Sequence, residues 1–176
     1  MSIFRLLKQN LARETGSSRE TETVRKITQA LDRLDPERAK YVAAFAYLLT
    51  RVARADLIIS PEETQAMERI IAERGGLPEE QAIIVVQIAK AQNILFGATE
   101  NFLVAREFKE MADYSKRIAL LDCLFAVAAG DRSISTVEDN EISQIADELR
   151  IEHRDFISIR LKYRDSLAVL QNPEKQ

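Results

Sequence analysis

The sequence predicts an all-α fold: a compact bundle of about seven to eight helices built from two pseudo-symmetric three-helix repeats. Three observations lead there. No stretch shows the period-two run of β-branched residues between turn signals that a strand needs, whereas apolar residues recur at helical spacing along most of the chain. Only 5 glycines and 4 prolines punctuate 176 residues. Sliding the chain over itself by 75 positions superposes Ala44 on Ala119, Leu49 on Leu124, Asp56 on Asp131, Ile59 on Ile134, Ser60 on Ser135, Glu63 on Glu138 and Ile70 on Ile145 without a gap. Similarity at one fixed offset means two copies of a single supersecondary unit.

Residues 1–19 form an amphipathic N-terminal segment and linker. Ile3, Phe4, Leu6, Leu7 and Leu11 lie among Arg5, Lys8 and Arg13, a locally basic pattern that either packs on its own domain or touches a membrane surface or a partner. Gly16-Ser-Ser18 reads as a flexible link. The helical domain covers 20–170. Its first helix is expected over about 22–33, with Val24, Ile27 and Leu31 on one stripe. Asp35 can cap the next, Pro36 suits a first helical position and Glu37 favours the positive helix end, so a buried helix follows over about 36–54. Ser60-Pro-Glu-Glu63 opens a third helix that Gly75-Gly76 stops, and Leu77-Pro-Glu-Glu80 restarts the chain as a helix to about 96, where Gly97 ends it.

That completes repeat one, about 36–96. A connecting helix over about 99–112 carries Phe102, Leu103, Val104, Phe108 and Met111. Repeat two, about 115–169, is expected as helices over 115–129, 136–149 and 153–169, with one residue deleted where Gly75-Gly76 stood. The polar tail is 171–176.

Composition narrows the function classes. The net charge of −3 gives no general attraction to phosphate backbones, so nucleic acid is not expected as a partner. No apolar run reaches the roughly 18 residues of a membrane span, and no signal peptide is evident, so a cytoplasmic protein is expected. Cys123, the single cysteine, lies in an apolar run and reads as a small buried residue. His153 has no Ser, Cys or second His placed as a catalytic companion, and no Glu-x-x-His of a di-metal bundle occurs, so no enzyme activity is expected.

What chemistry there is should lie in the two repeated loops, Ala55-Asp-Leu-Ile-Ile-Ser-Pro-Glu-Glu63 and Gly130-Asp-Arg-Ser-Ile-Ser-Thr-Val-Glu138. Ser60 with Glu63 and Ser135 with Glu138 match the reciprocal capping box, which by itself accounts for both glutamates. Asp56 and Asp131 sit at the carboxyl ends of apolar helices, where the macrodipole disfavours a carboxylate. Each therefore serves as an oxygen ligand to a hard cation together with the glutamate seven residues on, or caps loop amides in an Asx-type turn. With one histidine and one cysteine in the chain, a structural zinc site is excluded and calcium, magnesium or manganese are the candidates. An EF-hand is not formed, because Thr136 and Ile142 stand where that loop needs glycine and a bidentate glutamate, and the first loop departs further at Ile58 and Pro61. The candidate ligands are Asp56, Glu63, Asp131 and Glu138, with Glu62, Asp122, Asp139 and Glu141 in second rank. Asp122, in a very apolar helix, either looks toward the loop acids or lies exposed on a narrow polar stripe.

The order of apolar helix, Ala-Asp-Gly-x-Ile-Ser-x-x-Glu pattern and amphipathic helix, occurring twice, resembles the TerB-like domain of bacterial tellurite-resistance proteins over about 35–169. The resemblance implies an all-helical bundle in the bacterial cytoplasm or at its membrane face, binding divalent cations through its acids and acting in stress-response assemblies; apart from the resemblance, the partners left open are another protein or a second copy of the chain. A related domain occurs at the cytoplasmic side of a membrane-anchored DnaJ-type co-chaperone. On matching positions Asp56, Glu63, Asp131 and Glu138 carry over as ligands. The chain departs from the pattern at Leu57 and Arg132, which replace the glycine after each aspartate and restrict positive φ there. The alternative is a metal-free interaction scaffold whose acids are helix caps and a docking patch.

Overall fold

Asp35 has an extended backbone and its carboxylate accepts the Arg38 amide at 3.0 Å, while Pro36 takes the first helical position; this pair starts the most buried helix of the molecule. The computed structural model describes residues 18–53, 61–91, 101–131 and 133–171. In order these form α1 (Ser18–Asp32), α2 (Pro36–Val52), α3 (Pro61–Gly75), α4 (Glu79–Lys90), α5 (Asn101–Met111), α6 (Tyr114–Ala128), a 3-10 turn (Ala129–Asp131), α7 (Thr136–Glu148), α8 (His153–Lys162), a second 3-10 turn (Arg164–Ser166) and α9 (Ala168–Gln171). No strand occurs among the described residues, and the fold is the all-α bundle that the periodicity predicts.

α2 is buried on every side from residue 41 to residue 50. Because it carries no polar face there, it must lie inside a shell of other helices, and it packs against α1, α4, α5, α6 and α7. α6, the other strongly apolar helix, packs against α3, α7 and α8. The packing is crossed: α3 lies chiefly on α6, and α7 reaches back onto α2. Two aromatic groups mark the halves of the core. Tyr41 stacks on Phe108 at 5.0 Å with Phe45 edge-on to Phe108 at 6.2 Å, and Tyr163 stacks on Phe125 at 5.6 Å with Phe156 at 5.9 Å from the same ring. Pairs in these geometries contribute about 0.5–1.5 kcal/mol beyond the area they bury.

Three boundaries differ from the sequence expectation. α1 begins at Ser18, so the expected link ends one residue earlier. α4 stops at Lys90 rather than near 96, where Ala91 leaves the helix with its N–H on the Gln87 and Ile88 carbonyls; neither glycine nor proline marks the stop. The last helix, expected to run unbroken over 153–169, ends at Lys162. Its continuation unwinds for a reason. Ile134, buried at 1% exposure in the second acidic loop, has an N–H and a C=O that need partners away from water. Ser166 O accepts the Ile134 N–H at 2.6 Å and the Ala168 N–H donates to Ile134 O at 2.9 Å, forming a parallel bridge in which Leu167 is also buried. The expected N-terminal amphipathic segment, the helix end over 92–96 and the tail from 172 lie outside the described residues.

The ends of α3 and α7 use the same device with different residues. Gly76 follows α3 at φ 65°, where glycine carries no Cβ penalty. After α7, Arg150 takes φ 54°, the Ile151 N–H bonds to Ala146 O and the Arg150 N–H to Asp147 O, both at 3.0 Å, which is the Schellman arrangement. An exposed arginine in this conformation is strained. Arg150→Gly is therefore expected to stabilise the protein by about 0.5–1 kcal/mol after glycine's own entropic cost, read as a higher urea midpoint at unchanged slope; a lower midpoint would show that the arginine side chain contributes something its exposure does not reveal.

Candidate functional site

The second acidic loop begins where α6 tightens into the 3-10 turn Ala129–Asp131 and ends at the N-cap of α7. Ser135 is extended at φ −65°, ψ 157°, and its hydroxyl accepts the Glu138 amide at 3.2 Å. Glu138 returns the contact through Oε2, which accepts the Ser135 N–H at 2.8 Å and the Ser135 hydroxyl at 2.7 Å. This is the reciprocal capping box expected from the sequence. Both bonds that Glu138 accepts use one carboxylate oxygen; Oε1 of Glu138 takes no hydrogen bond from the described residues. Asp131 closes the 3-10 turn. Between these two acids Ile134 is pinned by its bridge to Leu167, so the loop's middle is anchored by backbone bonds.

Of the first loop, Asp56, Ser60 and Leu57 lie outside the described residues, as does Arg132 of the second. Glu62 and Glu63 are exposed in the first turn of α3, where acids favour the helix dipole.

The remaining second-rank acids have other employment. Asp139 receives Arg160 in a two-pronged pair, Nε on Oδ1 at 2.8 Å and Nη2 on Oδ2 at 2.6 Å, tying α7 to α8; that bond holds the Arg160 charge more firmly despite partial burial. Glu141 accepts Arg51 Nε at 2.7 Å. The same guanidinium donates Nη1 to Glu148 Oε2 at 2.6 Å and Nη2 to Glu148 Oε1 at 3.2 Å. The Arg51 side chain is only 5% exposed. Burial works against its charge, and the bonds to Glu148 and Glu141 more than restore it. Sequence reasoning missed this triad, although Arg51 is the one charged residue in 41–53 and thus had to find acids nearby.

Asp122 does not lie open on a polar stripe. Its side chain is 13% exposed, accepts the Tyr163 hydroxyl at 3.2 Å, and lies 3.4 Å from Lys162 Nζ and 3.5 Å from Arg74 Nη1, at the seam of α6 with α3 and α8. Burial, with the Asp122 charge and hydrogen bond adding, pushes the Tyr163 phenol up to about 12. Burial also pushes the adjacent Cys123 thiol up to about 12, so Cys123 is the inert core residue its apolar neighbourhood predicts. His153 is exposed, with its ring 6.3 Å from that of Phe156. The basic residues near the carboxyl end each have an acidic partner, Arg160 on Asp139, Lys162 on Asp122 and Arg164 on Asp165, although Lys162 and Arg164 stay exposed.

No group of three or more acids, histidines or cysteines is gathered as a metal cage among the described residues. No helix among them is long and apolar enough to cross a membrane. The family model described as "Tellurite resistance protein TerB" matches residues 41–161, from the buried centre of α2 to the last turn of α8.

The chain belongs to the TerB family.

The match spans most of α2, all of α6, both acidic loops and the pairs of Arg51 with Glu141 and Glu148 and of Arg160 with Asp139, so the TerB domain of this chain is the bundle itself rather than a part appended to it. α1 and the segment after Lys162 flank the matched region, yet Leu167 of that segment completes the second loop from outside it. No curated protein and no solved structure matches the chain.

Proposed function

We propose that this TerB domain is a non-enzymatic, cytoplasmic module that takes up a divalent cation at its acidic loops and passes the effect to a protein partner in a stress response. The donor set that supports this reading is all oxygen: Asp56 and Glu63 of one loop, Asp131 and Glu138 of the other, suited to calcium, magnesium or manganese. The observation that carries it is the state of Glu138. Its Oε2 is consumed by the cap while Oε1 takes no bond from the described residues, at the end of a loop whose centre is anchored by the Ile134–Leu167 bridge.

The test is thermal unfolding of chelator-stripped protein with and without millimolar calcium, magnesium or manganese. A cation present at a hundred times its dissociation constant adds about 2.7 kcal/mol, or roughly 5–10 °C for a domain of this size. One of the three is expected to give such a shift, and the Asp56→Ala/Asp131→Ala double variant to lose it. Wild-type protein indifferent to all three would end the cation reading.

A second reading is a metal-free scaffold acting through protein partners. The capping box and the commitment of Asp122, Asp139 and Glu141 to cations of the chain itself favour it, since they give half of the candidate acids a structural task.

A further inference from the structure

At the amino-terminal ends of α2 and α6, away from the acidic loops that follow their carboxyl ends, an open depression of about 300 Å³ is lined by Asp35, Glu37, Arg38, Tyr41, Met111 and Lys116. Tyr41 is the informative member. Its side chain is buried, at 5% exposure, with its ring stacked on Phe108 and the Arg38 guanidinium carbon 4.9 Å from the ring centre. Its hydroxyl oxygen is not itself buried and takes no hydrogen bond from the described residues, so it opens on the depression as a donor for whatever is seated there. Burial pushes this phenol up to about 12, so it keeps its proton and remains a donor at any working pH.

The other polar groups of the depression are also only partly used. Arg38 engages Gln81 through Nε at 2.6 Å, which leaves its outer nitrogens to donate. Lys116 is 50% exposed, 3.3 Å from the Asp113 carboxylate. Asp35 caps Arg38 through Oδ1, and Glu37 meets Lys40 through Oε1, leaving one oxygen on each acid. The lining therefore offers two cations and a phenol as donors, two carboxylates as acceptors, and the partly buried apolar Met111 between elements. A bare anion would satisfy the first set and be repelled by the second; a bare cation would meet the reverse. We propose that this depression binds a small zwitterion of amino-acid size, its carboxylate on Tyr41, Arg38 and Lys116, its ammonium on Asp35 and Glu37, and its carbon chain against Met111. The volume lies at the lower limit of ligand pockets, which fits an amino acid and not a nucleotide. This site is independent of the cation reading.

Methionine-methyl labelling tests it directly. The chain has 3 methionines, and Met67 on α3 does not line the depression, so its signal is an internal control. Titration with L-leucine, L-glutamate and glycine at millimolar concentration is expected to move the Met111 methyl resonance saturably while Met67 stays still, with at least one of the three binding. N-acetyl-leucine, which lacks the ammonium, and leucinamide, which lacks the carboxylate, should each bind about tenfold more weakly than leucine. Tyr41→Phe should weaken binding about fivefold; Lys116→Gln, at an exposed position that does not threaten folding, should do so as well. The proposal is overturned if none of the three amino acids moves Met111 saturably, if N-acetyl-leucine or leucinamide binds as tightly as leucine, or if both variants bind like the wild type.

Discussion

Replacing Arg51 with alanine is expected to destabilise the protein by about 3–5 kcal/mol, a fall in melting temperature of roughly 10 °C or more for a chain of this size. Its guanidinium is 5% exposed and holds Glu141 and Glu148, which are 24% and 12% exposed. Removing the one cation leaves two carboxylates with little access to water and no counter-charge, and that penalty, rather than the lost attraction, dominates. The distinction can be measured. Arg51→Met combined with Glu141→Leu and Glu148→Leu should recover most of the loss, because an apolar trio of similar volume carries no stranded charge. Urea unfolding of both variants checks it. If Arg51→Ala alone costs under about 1 kcal/mol, the triad behaves like a surface pair and its role in joining α2 to α7 is wrong.

Gly75→Ala is the second large effect, with an expected cost of about 1–3 kcal/mol. A Cβ built on Gly75 falls 2.7 Å from Phe45 Cζ and 3.3 Å from Cε2, with Cys123 Sγ at 3.6 Å. The ring cannot swing clear. Phe45 is fully buried, with Tyr41 6.3 Å away and Phe108 6.2 Å away, centre to centre. One methyl group should thus disturb the contact of α3 with α2 and the core around it, lowering the urea midpoint and shifting aromatic ring signals by NMR. Phe45→Leu in the Gly75→Ala background should restore part of the loss by opening room for the methyl; a double variant worse than the sum of the singles would contradict the clash.

The helices were legible wherever chemistry punctuates the chain. Asp35-Pro36, Ser135 with Glu138, and Gly76 each set a boundary that the structure keeps, since caps and positive φ are local properties of a few residues. Lys90 and Lys162 were not legible as ends. Neither is followed at once by glycine or proline, and the stop after Lys162 exists because Ile134, twenty-eight residues earlier, requires backbone partners. The candidate site divides in the same way. The Glu138 cap could be read from a four-residue pattern, whereas the fates of Asp122, Asp139 and Glu141 were decided by Tyr163, Arg160 and Arg51, which arrive from 21 to 90 positions away. Spacing along one helix can say that a carboxylate needs a partner; it cannot say which helix supplies it.

The bridge between Ile134 and Leu167 also orders events in time. A chain is made from its amino end at about 5–20 residues per second, so the carbonyl of Ser166 and the amide of Ala168 exist only some 2–7 s after Ile134 has been added. Until then Ile134 has an amide and a carbonyl that only water can satisfy, and its side chain cannot settle into the core without stranding them. The helices of the first unit are complete well before that moment. Synthesis therefore produces a bundle whose second acidic loop is the last part to take its final shape, and any factor that meets the nascent chain during those seconds meets it with that loop still open.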